Sequence, residues 1–296
     1  VLAPRFLCTE LSLAPLFSAL QGDGHCLHLV TDIQSNPSVE HLATLLAQLR
    51  EQGFDPTCIL AIGGGSCIDM AKGISALWHL TPDETSGPDT VREAIQAQKY
   101  LRKDHTFLSI LAMPTTAGTG SEVTFASVIT DTEKNYKFSM RSTKIAAKVA
   151  LLDPELTLTV PPAVTASTGI DALTHAIEGY TATATEPIAE AVGLYAVEMI
   201  ASNIVEAVHN GGNIGARSEM LLGSLMGGIS FSRSDVASVH CMAESLGGMY
   251  DAPHGLCNAI LLPYVMEYNL PETEYKYARV ARAMGIKEED DRQAAI

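Results

Sequence analysis

Asp171 and His175 stand four residues apart in Thr168-Gly169-Ile170-Asp171-Ala172-Leu173-Thr174-His175-Ala176-Ile177-Glu178. On a helix this spacing puts a carboxylate and an imidazole on one face, about 5–6 Å apart at Cβ, close enough to hold one cation. Two further histidines follow, His240 in Val239-His240-Cys241 and His254 in Pro253-His254-Gly255. One carboxylate and three imidazoles suit Fe2+ or Zn2+, whereas Mg2+ or Ca2+ would want more oxygens. Each residue alone reads as a helix-surface contact or a satisfied core histidine. All four in one helical stretch favour a metal centre. His25, His28, His41, His79, His105 and His209 show no ligand-like spacing and read as structural or solvated.

A second chemistry is written upstream. Ile59-Leu60-Ala61-Ile62 runs into Gly63-Gly64-Gly65-Ser66 and then a helix-patterned stretch carrying Asp69 and Lys72. An apolar strand, three glycines and a helix N-terminus make a backbone cradle for a diphosphate, because missing side chains allow close approach and helix N–H groups point outward. The alternative is a tight strand-to-helix turn. The segment is neither G-x-G-x-x-G nor a P-loop. Pro114-Thr115-Thr116-Ala117-Gly118-Thr119-Gly120-Ser121-Glu122 also follows an apolar strand and is dense in hydroxyls that can bond phosphate, ribose or carboxamide groups. Ligands of open α/β sheets sit at such strand ends.

The elements that must position these groups fall into two halves. Strand-like runs are Arg5–Cys8, Cys26–Thr31, Thr57–Ile62 and Phe107–Ala112, and helix-like stretches are Leu13–Leu20, Ser38–Gln52 and Ser66–Leu77. Their alternation predicts βαβ units with a parallel sheet. Phe125–Thr130, Tyr136–Met140 and Val149–Leu152 add strand candidates, the first two joined by a polar turn at Asp131–Asn135. From Ala163 onward the pattern is helical, broken at Thr183–Pro187, Asn210–Asn213, Ser232–Asp235, Ala252–Gly255 and Asn269–Pro271, which predicts an all-α domain. The double proline Pro161-Pro162 marks the expected boundary, giving an α/β nucleotide-binding domain over residues 1–160 and a helical metal-binding domain over 161–296.

Composition limits the remaining classes. A chain of 296 residues, 47% hydrophobic and 18% charged, can bury two cores and is not a disordered tail. Its 34 acidic against 19 basic residues, net −15, disfavour nucleic acid or anionic membrane as partner. No apolar run is long enough to read as a spanning helix, so a cytoplasmic protein is expected. The cysteines Cys8, Cys26, Cys58, Cys67, Cys241 and Cys257 form no C-x-x-C pair and read as reduced, inert core thiols. Val1 leads almost directly into a strand-like stretch and the chain stops within the charged segment Lys287–Ile296, so both ends read as cut edges of a longer protein.

Gly63–Ser66 with Asp69, Pro114–Thr124, Asp153-Pro154, Thr168–Tyr180 and Pro253-His254-Gly255 closely resemble the iron-containing (group III) alcohol dehydrogenase family, in the branch holding lactaldehyde reductase and propanediol dehydrogenase. The resemblance covers nearly the whole chain. It implies the dehydroquinate synthase-like architecture, an α/β domain binding NAD (or NADP) and a helical domain holding Fe2+ (or Zn2+), with substrate in the cleft between. Asp171, His175, His240 and His254 become the metal ligands. Gly64, Gly65 and Ser66 hold the pyrophosphate with Asp69 nearby, while Thr115, Thr116, Thr119 and Thr124 line the nucleotide cleft, Thr119 near the nicotinamide. Asn36 and Lys137 match nucleotide contacts. Glu10 is the closest match to the acidic residue that ends the family's first strand and reads the ribose, which favours NAD.

Relatives with a His-x-x-x-His version of the His240 segment have Glu244 here in place of the second histidine. Glu244 then either faces the metal and substrate, relaying a proton or shaping the pocket, or is a solvated helix residue. The implied reaction is reversible oxidation of a small primary or secondary alcohol, the metal polarising its oxygen and the hydride passing to the nicotinamide. A small alcohol or aldehyde is the expected partner molecule, in a homodimer or larger homo-oligomer. The competing readings are a dehydroquinate synthase-like lyase without net redox, which needs basic residues absent around Asp171, His240 and His254, and a non-catalytic relative with the same fold.

Overall fold

The structure is a computed structural model of the chain, and it describes residues 1–10, 13–250 and 252–296. Packing divides the chain into two units, Val1–Pro114 with Phe125–Leu151, and Thr115–Thr124 with Leu152–Ile296. This differs from a division at residue 160 in two places. The break falls at Leu151, and the threonine-rich loop goes with the helical unit. Pro161 and Pro162 instead open a long helix, where the missing proline N–H removes no helical bond.

The first unit is built on a parallel sheet in the order β1 (Cys58–Gly63), β2 (Ser109–Pro114), β5 (Val149–Ala150). β1 and β2 pair in register from Cys58 against Ser109 to Gly63 against Pro114, so their carboxyl ends coincide. Helices α3 (Val39–Glu51) and α4 (Gly65–Leu77) supply Leu42, Leu45, Leu46, Ile68, Met70 and Ile74 to the core of this unit, α4 packing on β1 and β2. Ser38 starts α3 by accepting a hydrogen bond from the His41 amide at 3.1 Å. The antiparallel hairpin β3 (Ala126–Asp131) and β4 (Tyr136–Arg141) forms its own two-stranded sheet. Its turn places Asn135 in the left-handed region, φ 49°.

Local expectations fail in the first residues. Arg5–Cys8 is not a strand but part of α1 (Arg5–Glu10), which follows Pro4, and α2 (Ala14–Gly22) succeeds it. Strand-type pairing near the N-terminus is confined to Leu2, bridged to Val30 and Ala61, and Val30 is the sole contribution of Cys26–Thr31 to it among the described residues. A further helix, α5 (Pro88–Gln96), carries Arg92, which is buried and bonded to Asp131 at 2.9 Å and to Asp89 at 2.5 Å.

The second unit is helical: α6 (Pro162–Thr181), α7 (Pro187–His209), α8 (Ile214–Ser234), α9 (Ser238–Tyr250), α10 (His254–Ala283) and α11 (Asp291–Ala295). α6, α7 and α8 pack at close range because glycines face Ser230: a Cβ on Gly179 or Gly193 would lie 2.5 or 2.6 Å from its Oγ. α7 is long and apolar enough by composition to cross a bilayer, contrary to the expectation that no such stretch exists. Glu190, Glu198 and Glu206 punctuate it, and it buries Ala189, Gly193, Ala196, Val197 and Ile200 within the helical unit. The break expected at Asn269–Pro271 does not occur. α10 runs through both Pro263 and Pro271, and Leu262 before them and Tyr277 and Val280 after them are buried in one core, so packing outweighs the backbone bonds the prolines remove.

Candidate metal centre and nucleotide loops

α6 sets Asp171, His175 and Glu178 on one face by their helical spacing, all buried. α9 supplies His240 in its first turn, and His254 begins α10, whose next turn carries Asn258. Ligand atoms of Asp171, His240 and His254 lie within 4.8 Å of one another. Asp171 Oδ1 is 3.6 Å from His240 Nε2 and 3.5 Å from His254 Nε2. His175 adjoins this trio by stacking, its ring 4.2 Å from that of His240 and 4.3 Å from that of Phe231. Its Nδ1 is buried and has no hydrogen-bond partner.

Sequence reasoning missed two members of the cluster. Glu178 Oε2 is 2.5 Å from His240 Nδ1, and the carboxylate also accepts from the amides of Val239 at 2.7 Å and Ala237 at 3.1 Å. Asn258 Nδ2 donates to Asp171 Oδ1 at 2.6 Å and is 3.2 and 3.3 Å from the Nε2 atoms of His240 and His254. The available signal was helical spacing. Glu178 stands three residues after His175, and Asn258 four after His254.

Electrostatically the cluster is short of positive charge. Asp171 and Glu178 are buried carboxylates whose ion-pair partners among the described residues are histidines, not Lys or Arg. Burial opposes ionisation of Asp171, and the imidazoles of His175, His240 and His254 more than offset it, holding the carboxyl well below its usual range. Burial pushes His175 down to about 3, so its ring is neutral, the form of imidazole that can bind a metal. Burial also works against a charged His240, yet hydrogen bonds to Asp171 and Glu178 lift it to about 9. The set of buried carboxylate, clustered imidazole nitrogens and an orphaned neutral imidazole fits a divalent transition metal.

Gly64 caps α4 and Gly65 begins it, leaving first-turn N–H donors at the carboxyl end of β1. A Cβ on Gly63 would meet Cys67 Cβ at 2.6 Å, so that turn admits only glycine without displacing α4. Ser66 Oγ accepts from the Asn36 amide at 3.3 Å, bringing those two together at the loop. Asp69 serves the fold as well. Its carboxylate accepts from the Val128 amide at 3.0 Å, its carbonyl from Ser127 Oγ at 2.8 Å, and Lys72 Nζ lies 3.8 Å away, so it clasps the hairpin to α4. Lys137 is half-buried on β4 opposite Thr130.

Within the threonine loop Thr115 and Thr124 are buried and Thr116 half-buried. Thr119 Oγ1 accepts from the Ser121 amide at 3.2 Å, and Gly120, φ +59°, lies against Gly228 of α8. Glu10 ends α1, not a strand, and its side chain lies outside the described residues. Glu244 is exposed on α9 and is not part of the Asp171–His240–His254 trio.

The chain is similar to known proteins along nearly its whole length. A model of the iron-containing alcohol dehydrogenases matches residues 1–154, and one of the Fe-containing alcohol dehydrogenase family, C-terminal, matches residues 165–296. The probable alcohol dehydrogenase EutG of Escherichia coli is 38% identical over 99% of this chain and 71% of its own length. The 1,3-propanediol dehydrogenase of Klebsiella pneumoniae is 38% identical over 86% of this chain and 62% of its own. The crystal structure of sulfoacetaldehyde reductase from Bifidobacterium kashiwanohense in complex with NAD+ superposes with TM-score 0.86 and 30% identity, covering 99% of this chain and 75% of that one. The chain belongs to the iron-containing alcohol dehydrogenase family, a family of metal-dependent alcohol oxidoreductases.

Proposed function

We propose that this chain catalyses reversible hydride transfer between a small primary or secondary alcohol and NAD, with Fe2+ as the preferred metal, held by Asp171, His175, His240 and His254. The observation that carries the reading is the convergence of Asp171, His240 and His254 ligand atoms within 4.8 Å, beside the orphaned Nδ1 of His175. A metal bound there supplies Lewis-acid polarisation of the alcohol oxygen. Asp171 would contribute the single negative charge to that site and the three histidines neutral nitrogen donors. Glu178 and Asn258 orient those ligands. The first-turn amides of α4 at Gly65 and Ser66 take the pyrophosphate, as helix N-termini do, and Thr115, Thr116, Thr119 and Thr124 offer hydroxyls to the nucleotide.

The NAD+ complex of the sulfoacetaldehyde reductase and the 1,3-propanediol dehydrogenase among the relatives support nicotinamide nucleotide and small alcohols over a redox-neutral lyase. Glu10 reading the ribose, and Glu244 relaying the alcohol proton or shaping the substrate pocket, belong to the same reading. So do a cytoplasmic setting and a homodimer or larger homo-oligomer. The test is metal content with activity. His254→Ala should lose bound metal and alcohol-dependent NADH formation together, while nucleotide titration, monitored by fluorescence, remains near that of the parent. Full metal occupancy in His254→Ala, measured by elemental analysis, refutes the ligand assignment. Absence of net NADH production from 1-propanol or 1,2-propanediol by the iron-loaded parent refutes the reaction.

A further inference from the structure

We propose that Glu178 is the positioning residue of the metal centre: it selects the His240 tautomer that can bind metal and ties that choice to the start of α9. The inference rests on the ligand assignment above and deepens it. Glu178 projects from the same face of α6 as Asp171 and His175, is buried, and pairs with no Lys or Arg among the described residues. Its oxygens meet the amides of Ala237 and Val239 and the Nδ1 of His240, at 3.1, 2.7 and 2.5 Å. An ionised carboxylate only accepts hydrogen bonds, so His240 Nδ1 must be the donor. A metal displacing one proton of this ring would therefore take the lone pair of Nε2, the atom that faces Asp171 Oδ1 at 3.6 Å. One carboxylate thus fixes which nitrogen is free and where the ring stands, the part outer partners of metal-bound histidines play generally.

The arrangement leaves no room for an amide. A glutamine has one acceptor oxygen for three donors. With that oxygen on the Val239 amide, its NH2 faces His240 Nδ1, which must then accept and move its proton to Nε2, the ligand atom. With the oxygen on His240, the NH2 opposes the Val239 amide at the start of α9. Either outcome penalises the metal-binding geometry.

The experiment uses the full chain with Zn2+ as probe, its affinity measured by competition with a chromophoric chelator. The proton on His240 Nδ1 is followed by NMR in the zinc-loaded protein and assigned by its loss in His240→Ala. Glu178→Gln should bind Zn2+ about 10- to 100-fold more weakly than the parent, and the His240 Nδ1 proton should move upfield as its carboxylate acceptor is lost. Glu178→Asp, which keeps the charge, should lose less and serves should the glutamine variant fail to fold. Parent-like Zn2+ affinity in Glu178→Gln overturns the proposal. So does weaker binding with the Nδ1 resonance unmoved, because Glu178 would then act only as a cap on α9. Equal losses in the Asp and Gln variants also overturn it. A parent chain that binds no stoichiometric Zn2+ refutes instead the ligand assignment.

Discussion

Gly255 directly follows His254, one of the proposed ligands, and a Cβ built on it would lie 2.1 Å from the backbone oxygen of Ser167, 2.7 Å from its carbonyl carbon and 2.8 Å from its Oγ. The obstacle is backbone of α6, so no rotamer relieves it. For Gly255→Ala the gap must widen by about 1.2 Å to reach an ordinary C···O contact of about 3.3 Å. That shift separates the start of α10 from α6, the two elements that carry His254 and Asp171, whose atoms are 3.5 Å apart. Metal–ligand distances tolerate about 0.2 Å, so the two residues can no longer share an ion. Overpacking of this kind costs about 1–3 kcal/mol, which in a protein of this size lowers Tm by several degrees. Zinc affinity by chelator competition should fall at least about tenfold. Calorimetry and metal titration on parent and variant check both effects. Parent-like Tm and zinc affinity would refute the reasoning that α10 is seated against α6 without space for one methyl group.

Asp69→Ala should lower urea-unfolding stability by about 2 kcal/mol, because it removes the acceptor of the Val128 amide and a charge partner of the buried Lys72; an unchanged midpoint would show that the clasp contributes nothing. Burial pushes the Cys67 thiol up to about 12, above the value near 9 expected when unfolded. The folded state therefore holds a proton the unfolded chain releases, and stability falls as pH rises from about 9 toward 12, by up to about 1.4 kcal/mol per pH unit. Cys67→Ala should flatten that slope in urea unfolding between pH 8 and 10, and parallel slopes would count against it. Cys26, Cys58 and Cys241 are exposed, contrary to the expectation of core thiols, so in the native protein iodoacetamide should label them and spare the buried Cys67 and Cys257, as read by peptide mass spectrometry.

Periodic features were legible and compensated ones were not. The glycine run after an apolar strand located β1, the turn and α4, since close approach of backbone leaves few residue choices. The four-residue spacing of Asp171 and His175 placed both on one face of α6. Glu178 was invisible as a functional residue because its role depends on α9, more than fifty positions away, being folded against it. Arg5–Cys8 lies in a six-residue helix, too short for a helical period to appear. Pro4 was the available cue. Pro271 read as a terminator, yet burial of Tyr277 and Val280 beyond it carries α10 on, a tertiary effect no local rule contains.

The threonine loop alters how this protein can be taken apart. Because Thr115–Thr124 goes with the helical unit while the chain on both sides of it goes with the α/β unit, the polypeptide passes from one unit to the other at Pro114, returns at Phe125 and leaves again after Leu151. No single cut yields two fragments that each keep all of their own residues. A nick near Leu152 leaves the α/β fragment carrying a loop that belongs in its partner, and a fragment from Leu152 onward lacks the glycine contact made by Gly120 on Gly228. Recombination between relatives faces the same constraint: a chimera that exchanges the helical unit must exchange Thr115–Thr124 with it, or join a helical surface to a loop shaped for another.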